Sequence, residues 1–156
     1  MSTLRKVEWT VLGIALLIAV LAFYNVKRVI VHGISMEPSF HSGQTVYVLT
    51  SVRPSSLKIG DVIVLHSDDG DELIKRIVFI QNEQGTAAPP QSVWTPDGEK
   101  PFGEMFDNYD KLASEARLDG RSIWVMGDNY DHSEDSRDFG PIAPKSILGK
   151  VVKVMK

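Results

Sequence analysis

The sequence predicts a mostly β domain carried by one N-terminal membrane helix, and three features of the chain support this fold class. An apolar span covers residues 7–26, close to the N-terminus. Short runs of β-branched residues follow it, separated by Gly, Pro and Asp turn signals. The chain has 156 residues, which is enough for one domain of ordinary size plus an anchor.

The apolar span is just long enough for a transmembrane helix, because about 20 residues are needed to cross a bilayer. Trp9 and Tyr24 lie near its two ends, where interfacial aromatic residues are expected. A cleaved signal peptide is the alternative, but bulky Phe23 and Tyr24 follow the candidate cleavage site at 20–22. We therefore predict a retained anchor. Basic residues flank both ends of the span, so the positive-inside rule does not decide its orientation.

The chain after the span reads mostly as strand. The turn signal Asp68-Asp69-Gly70-Asp71 predicts a hairpin between two apolar runs, and Gly33 is expected at a bulge or at a close approach of two backbone segments. Residues 82–120, with a short helix within 106–116, are interpreted as an elaboration of the same domain. The expected strands cover residues 29–31, 45–49, 61–65, 73–80, 122–126 and a closing strand at 147–155.

The composition excludes several kinds of site. The chain has no cysteine, which excludes disulfides, thiol nucleophiles and thiolate metal sites. Its net charge is -3, and it has no long Lys/Arg run of the kind that binds nucleic acid. Asp128, Asp131 and Asp135 lack the mid-loop glycine and the final glutamate of an EF-hand loop. We predict no metal, no cofactor and no nucleic-acid partner.

Ser35 is a candidate nucleophile, about one strand's length beyond the apolar span. Serine reacts only when a neighbouring base removes its proton. A Ser-His-Asp arrangement stays open at this point, because folding can bring distant residues together. The candidate bases are the lysines, the carboxylates and the histidines His32, His41, His66 and His132.

Lys75 stands out among these bases because of its apolar surroundings. Alternate residues of a strand share a face, which places Lys75 with Leu73, Ile77 and Phe79. A lysine base needs a pKa of roughly 7–8 instead of its usual value near 10.4, and burial without a paired carboxylate can lower the pKa that far. The alternative is a strand lysine whose ammonium group reaches solvent.

A polar segment, residues 127–137, follows the strand predicted at 122–126. Within it, Asp135 and Arg137 could pair, and Asp128 could accept backbone N–H bonds that hold a tight loop. An ordinary polar loop is the alternative. Together with Ser35 and Lys75 after a membrane span, the segment favours a membrane-tethered serine hydrolase that uses lysine as its base.

Four motifs, in this order, resemble those of the type I signal peptidases. They are Ser35-Met36-Glu37-Pro38-Ser39, Gly60-Asp61-Val62-Ile63-Val64, Lys75-Arg76-Ile77-Val78, and the run from Gly127 to Arg137, which continues into Phe139-Gly140-Pro141. The last matches the family pattern Gly-Asp-Asn-x-x-x-Ser-x-Asp-Ser-Arg in full. The resemblance implies a signal-peptidase-like coiled antiparallel β-sheet domain.

The resemblance also implies roles for individual residues. Ser35 is expected as the nucleophile of an acyl-enzyme mechanism, Lys75 as the general base, and the Ser35 backbone N–H as the oxyanion donor. The expected supporting residues are Arg76, Asp128, Ser133, Asp135 and Arg137, of which Ser133 orients the lysine amine. The expected substrate-binding residues are Ile34, Met36, Pro38, Leu73 and Ile74.

The chain departs from the family pattern at several positions. Gly33 occupies the place where some members have a serine hydroxyl as a second oxyanion donor, and Ser39 replaces a threonine. Phe79 and then Gln81-Asn82-Glu83 follow the lysine motif, where the family commonly has a small residue and Pro-Gly-Asp. Phe79 is therefore expected to narrow the pocket that it faces.

The resemblance implies an enzyme that removes N-terminal signal peptides from exported precursors with Ala-x-Ala-like cleavage sites. Residues 1–28 would form a cytoplasmic tip and a single anchor in the lipid bilayer, and residues 29–156 an extracytoplasmic catalytic domain of the cell membrane. Two alternatives remain. One is a self-cleaving Ser-Lys regulator of the repressor type, and the other is a non-catalytic assembly factor for surface fibres (pili).

Overall fold

The computed structural model describes residues 7–16, 25–67, 69–82, 87–116 and 121–155. Of the predicted tip and anchor at 1–28, residues 7–16 are helical (α1), and residues 1–6 and 17–24 lie outside the described residues. Residues 26–28 belong to a strand, Val26–Ile30. Among the described residues, no helix combines the length and the apolar character that crossing a bilayer requires. The side chains of α1 are nevertheless strongly exposed and mostly apolar, including Trp9, Leu12 and Leu16.

Within the described ranges, eight strands account for most of the regular structure, so the mostly β prediction is confirmed. They are β1 (Val26–Ile30), β2 (Thr45–Leu49), β3 (Val62–His66), β4 (Glu72–Gln81), β5 (Ser92–Thr95), β6 (Gly98–Pro101), β7 (Ser122–Met126) and β8 (Ile147–Val154). Three short helices join them: α2 (Phe102–Met105), α3 (Tyr109–Glu115) and α4 (Ser136–Phe139). The helix predicted within 106–116 is therefore present as α3.

Six strands form one antiparallel sheet in the order β1-β2-β8-β3-β4-β7. The predicted hairpin is β3–β4, in which Ile63 pairs with Lys75 and Val64 with Ile74. The last strand does not close an edge, because β8 lies between β2 and β3. Gly149 of β8 contacts the Leu49 carbonyl so closely that a side chain would not fit there.

Alternation along β3 places its side chains in two apolar clusters on opposite faces of the sheet. Val62 and Val64 pack with Val31, Met36 and Phe40, whereas Ile63 and Leu65 pack with Ile77 and Val125. The same alternation holds in the first half of β4, where Ile74 joins the first cluster and Leu73 the second.

A β-bulge in β4 between Ile77 and Phe79 breaks that alternation. Ile80 therefore shares a cluster with Ile77, and Phe79 does not, so the prediction that Phe79 lies on the Lys75 face is wrong. Phe79 packs against Phe102 and Tyr109 in a third cluster, beneath α2 and α3. Phe79 therefore fills the core and does not narrow a substrate pocket.

The described part of the 82–120 segment is more ordered than the sequence predicted. The turn signal Thr95-Pro96-Asp97-Gly98 joins β5 and β6 in a hairpin that the sequence reading missed. Phe106 and Tyr109 pack against Trp124 of β7, and Phe102 packs against both of them, which attaches this segment to the sheet. Glu83, part of the atypical turn after β4, lies outside the described residues.

Candidate active site

Lys75 is buried inside the sheet, so the alternative of a strand lysine whose ammonium group reaches solvent is wrong. Its side chain is 3% exposed and lies on the face of β4 that carries Leu73 and Ile77. Burial lowers the pKa of Lys75 below 10.5, and Arg137 lowers it further, while Asp135 and Glu134 act in the opposite direction. The net decrease favours the neutral amine that a general base requires.

The Nζ atom of Lys75 donates a hydrogen bond of 2.9 Å to the Oγ atom of Ser133. Ser133 comes from the polar segment 127–137, so this bond places part of the segment beside Lys75. This is the contact that the family resemblance implies. It holds the amine of the buried lysine in a fixed direction.

A buried ion pair organises the polar segment around Ser133. Asp135 is fully buried and pairs with Arg137 at 2.8 Å, which confirms the predicted pair. The Asp135 carboxylate also accepts the Gly127 N–H at 2.9 Å, and the Arg137 guanidinium donates to the Tyr130 carbonyl at 2.6 Å. Asp135 is also the N-cap residue of α4 and forms a capping box with Asp138. These bonds tie both ends of the segment together.

A second ion pair joins Arg76 to Asp128 through two hydrogen bonds of 2.8 and 2.6 Å. Asp128 is 5% exposed, and its carboxylate binds the guanidinium instead of the backbone N–H groups that the sequence reading expected. Arg76 also donates to the Gly60 carbonyl at 2.9 Å, and its guanidinium carbon lies 5.1 Å from the Trp94 ring centroid. Arg76 therefore links three motifs that are distant in the sequence.

Ser35 lies in a turn between β1 and β2 that is attached to the polar segment. Its carbonyl accepts the Asn129 N–H at 2.9 Å, and the Asn129 side chain donates to the Ile34 carbonyl at 3.1 Å. Gly127 lies between the two serines: a Cβ atom there would collide with the Ser133 hydroxyl and come within 2.5 Å of the Ser35 carbonyl. Ser35 and Ser133 thus both lie against Gly127.

The Ser35 hydroxyl makes no hydrogen bond to Lys75 or to a histidine among the described residues. Catalytic hydrogen bonds are often long in unliganded enzymes and shorten when the substrate binds. Of the histidines, His41 contacts Glu37 at 3.3 Å, which leaves the Ser-His-Asp alternative without a supporting contact.

Ser35 borders a small cavity of about 120 Å³, which we call the Ser35 cavity. Three of the predicted substrate-binding residues, Met36, Leu73 and Ile74, line it together with Val31 and Val64. Ile34 and Pro38 do not line it; both are exposed on the surface of the Ser35 turn. Their substrate-binding role stays a prediction; at this cavity the turn directs Met36 inward.

Gly33 has a φ of +80°, with open space around its Cβ position. It lies after the end of β1 and makes no close backbone approach, so the bulge or close-approach prediction is wrong. The positive φ is the reason for glycine at this position, because other L-residues rarely adopt it.

A family model described as signal peptidase, peptidase S26, matches residues 4–84 and 96–155. This match covers most of the chain. The chain belongs to the signal peptidase family.

Curated relatives of this signal peptidase family member come from bacteria and mitochondria. The chain is 28% identical to mitochondrial inner membrane protease subunit 2 of Schizosaccharomyces pombe over 92% of its own length and 73% of the relative. It is 26% identical to signal peptidase I of Bacillus caldolyticus over 94% of its length and 88% of the relative. Signal peptidase IB of Staphylococcus aureus is 25% identical over 92% of the chain and 86% of the relative. The residues that the family model matches include the Ser35, Lys75 and 127–137 segments together.

Three contributors to this signal peptidase site were not singled out from the sequence. Asn129 fixes the Ser35 turn, Trp94 stacks on Arg76, and Glu134 raises the pKa of Lys75. Asn129 and Glu134 lie inside the matched motif, so the motif itself was the available signal. Trp94 lies in the β5–β6 hairpin, and no local pattern indicates that it reaches Arg76.

Proposed function

We propose that this chain is a membrane-bound serine endopeptidase that removes N-terminal signal peptides from exported precursors. The observation that carries the proposal is a buried Lys75, hydrogen-bonded to Ser133, beside the segment that also holds the Ser35 turn. Lysine is useful as a base only when burial makes its neutral form accessible. A purely structural lysine at this position would gain more from a carboxylate partner than from a serine hydroxyl.

The substrate would bind as an added strand along β4. Among the described residues, no strand pairs with Glu72–Lys75 on the side opposite β3, because β7 pairs with β4 only from Arg76 onward. An extended peptide can use such an edge for main-chain hydrogen bonds. The small Ser35 cavity beside this edge suits the short side chains of an Ala-x-Ala cleavage site.

In the proposed mechanism, Ser35 and Lys75 together cleave the peptide bond. The neutral Lys75 amine takes the Ser35 hydroxyl proton while Oγ bonds to the substrate carbonyl carbon, and the Ser35 N–H holds the oxyanion. The C–N bond breaks, and the lysine ammonium returns its proton to the departing amine. Water, activated by the same amine, hydrolyses the acyl-enzyme. Gly33 offers no side-chain donor, so this mechanism relies on backbone donation to the oxyanion.

The proposal places the enzyme in the cell membrane, with one anchor in the lipid bilayer and the β domain on the extracytoplasmic face. Exposed apolar side chains on α1 support insertion of that helix in a bilayer. An anchor would also raise the local concentration of enzyme near membrane-bound precursors. Lipid and exported precursors are therefore the proposed partners.

The test is cleavage of a precursor with an Ala-x-Ala site by the full chain in detergent micelles. We expect Ser35→Ala and Lys75→Ala each to lose at least about 10³-fold in kcat/KM, with circular dichroism unchanged. The matched controls are Ser56→Ala and Lys58→Ala, two exposed changes at positions that line no part of the Ser35 cavity. Retained cleavage in either of the first two variants would exclude the dyad.

The assembly-factor alternative would lead to a different result in the same assay. The wild type would then bind a fibre subunit without cleaving any precursor, and binding would survive Ser35→Ala. Phe79, one of the departures from the family pattern, is accounted for by packing against Phe102 and Tyr109. The peptidase remains the function that the geometry supports best.

A further inference from the structure

A second cavity, of about 410 Å³, adjoins the candidate site and has no part in the mechanism above. We call it the Glu134 cavity. Its apolar walls include Leu65, Leu73, Phe139 and Ile142, and Glu134 borders it directly after Ser133 in the sequence. Its position next to Lys75 and Ser133 makes it a candidate for contact with the substrate.

The two cavities lie on opposite faces of the β3–β4 hairpin. The cross-strand pair Val64–Ile74 lines the Ser35 cavity, and the next pair, Leu65–Leu73, lines the Glu134 cavity. Successive pairs of a ladder point to opposite faces, so this division follows from the pleat of the sheet. Leu73 borders both cavities, which means that they meet at the unpaired edge of β4.

An extended peptide added to this edge would alternate in the same way. The residue with the attacked carbonyl, and the residue two places before it, would direct their side chains into the Ser35 cavity. The residue between them, the penultimate residue of the signal peptide, would direct its side chain to the opposite face. That face opens into the Glu134 cavity.

We propose that the Glu134 cavity is a specificity subsite for the penultimate residue of the signal peptide, and that it favours basic over acidic side chains. The inference rests on the proposed function. The carboxylates that border the cavity outnumber its one ammonium group, which belongs to Lys145, and His66 is a further titratable neighbour. The three carboxylates are those of Asp69, Asp71 and Glu134. The apolar wall at Phe139 suits the aliphatic stem of a lysine or arginine side chain.

The size of the preference is limited by solvent, because the charged side chains on the rim are exposed. Unit charges about 6 Å apart in water interact weakly, so we expect kcat/KM for a lysine substrate to exceed that for a glutamate substrate by about three- to tenfold. The preference should decrease toward 1 M salt, where the screening length is about 3 Å. A preference due to shape alone would not respond to salt.

The experiment uses three precursors that differ only at the penultimate residue, with cleavage sites Ala-Gln-Ala, Ala-Lys-Ala and Ala-Glu-Ala. The full chain in detergent micelles is compared with Glu134→Lys, with the double variant Asp71→Asn/Glu134→Gln, and with Glu104→Gln. Glu104 is an exposed carboxylate on α2 and serves as the matched control. The readout is the lysine-to-glutamate ratio of kcat/KM at one pH, because any change in Lys75 protonation cancels in that ratio.

We expect the ratio to fall toward one in the double variant, to invert in Glu134→Lys, and to stay at the wild-type value in Glu104→Gln. A wild-type ratio of one, or a ratio that these rim changes leave unaltered, would overturn the subsite. Failure to cleave the Ala-Gln-Ala precursor at all would contradict the proposed function itself. The neutral precursor thus separates the two failures.

Discussion

Lys75 and Ser133 are 58 positions apart in the sequence, yet their Nζ and Oγ atoms lie 2.9 Å from each other. No carboxylate forms an ion pair with this lysine among the described residues. The lysine is thus buried beside a neutral partner, and burial dominates its pKa. Both the activity and the stability of the protein should therefore depend on the protonation state of Lys75.

Replacing Lys75 by methionine should abolish turnover and increase stability near neutral pH. The pKa of Lys75 is lower in the folded chain than the unfolded value of 10.5, so the unfolded chain binds more protons between those two values. Wild-type stability therefore rises with pH across that window, and the cost of the buried lysine disappears above 10.5. The advantage of Lys75→Met should shrink from pH 7 to pH 9.5, as measured by thermal unfolding of both proteins. A constant difference would contradict a lowered pKa.

Replacing Glu134 by glutamine should move the rise of activity to lower pH. Glu134 raises the pKa of Lys75, so its removal lowers that pKa and makes the neutral amine available in more acidic solution. The measurement is the pH profile of kcat/KM on a precursor with an uncharged cleavage site. Glu104→Gln removes a carboxylate that is not among the charges acting on the Lys75 pKa, and it should leave the pH profile unchanged. A shift in the opposite direction would be inconsistent with lysine as the base.

Replacing Asp128 by alanine should destabilise the fold by about 3 kcal/mol, because it leaves the partly buried Arg76 guanidinium without its partner. Asp61→Asn is the comparison, since it breaks the more exposed pair between Lys150 and Asp61 and should cost about 1 kcal/mol or less. Chemical unfolding in detergent gives both values. Equal losses would show that burial does not distinguish the two pairs.

Replacing Gly127 by alanine should reduce both stability and cleavage. A methyl group at this position would displace the Ser133 hydroxyl and press on the Ser35 carbonyl, so we expect a loss of about 1–3 kcal/mol. Cleavage should fall by more than the folded fraction does. Gly103→Ala is the control, because it introduces the same methyl group into α2 with no atom within 4 Å. Normal activity of Gly127→Ala would show that the two serines need not approach each other.

The sequence predicted the parts of the fold that depend on local patterns. Alternation and turn residues located β2 and β7 at their observed bounds, and they identified the β3–β4 hairpin and the burial of Lys75. The bulge in β4 was not predictable in this way. It depends on how Phe79 packs against α2 and α3, which are distant in the sequence.

In the candidate site, too, local patterns predicted contacts between residues close in sequence, and not those between distant residues. The Asp135–Arg137 pair is close in sequence and was predicted, whereas the Asp128–Arg76 pair joins residues 52 positions apart and was not. Family resemblance located Ser133 beside Lys75, which no local pattern indicates. Met36 lines the Ser35 cavity while Ile34 and Pro38 lie on the surface, an arrangement that depends on a turn bonded to the distant residue Asn129.

Lys75 and Arg76 are adjacent in the sequence, but they need opposite charge states. The proposed mechanism needs a neutral Lys75 amine, whereas the Arg76 guanidinium keeps its charge beside Asp128. The pleat of β4 separates them onto two faces. A slip of β4 by one residue against β3 would exchange those faces and place the guanidinium among apolar side chains. The pairing register of the β3–β4 hairpin, held at the turn between Ser67 and Asp71, therefore sets the protonation state of the proposed base.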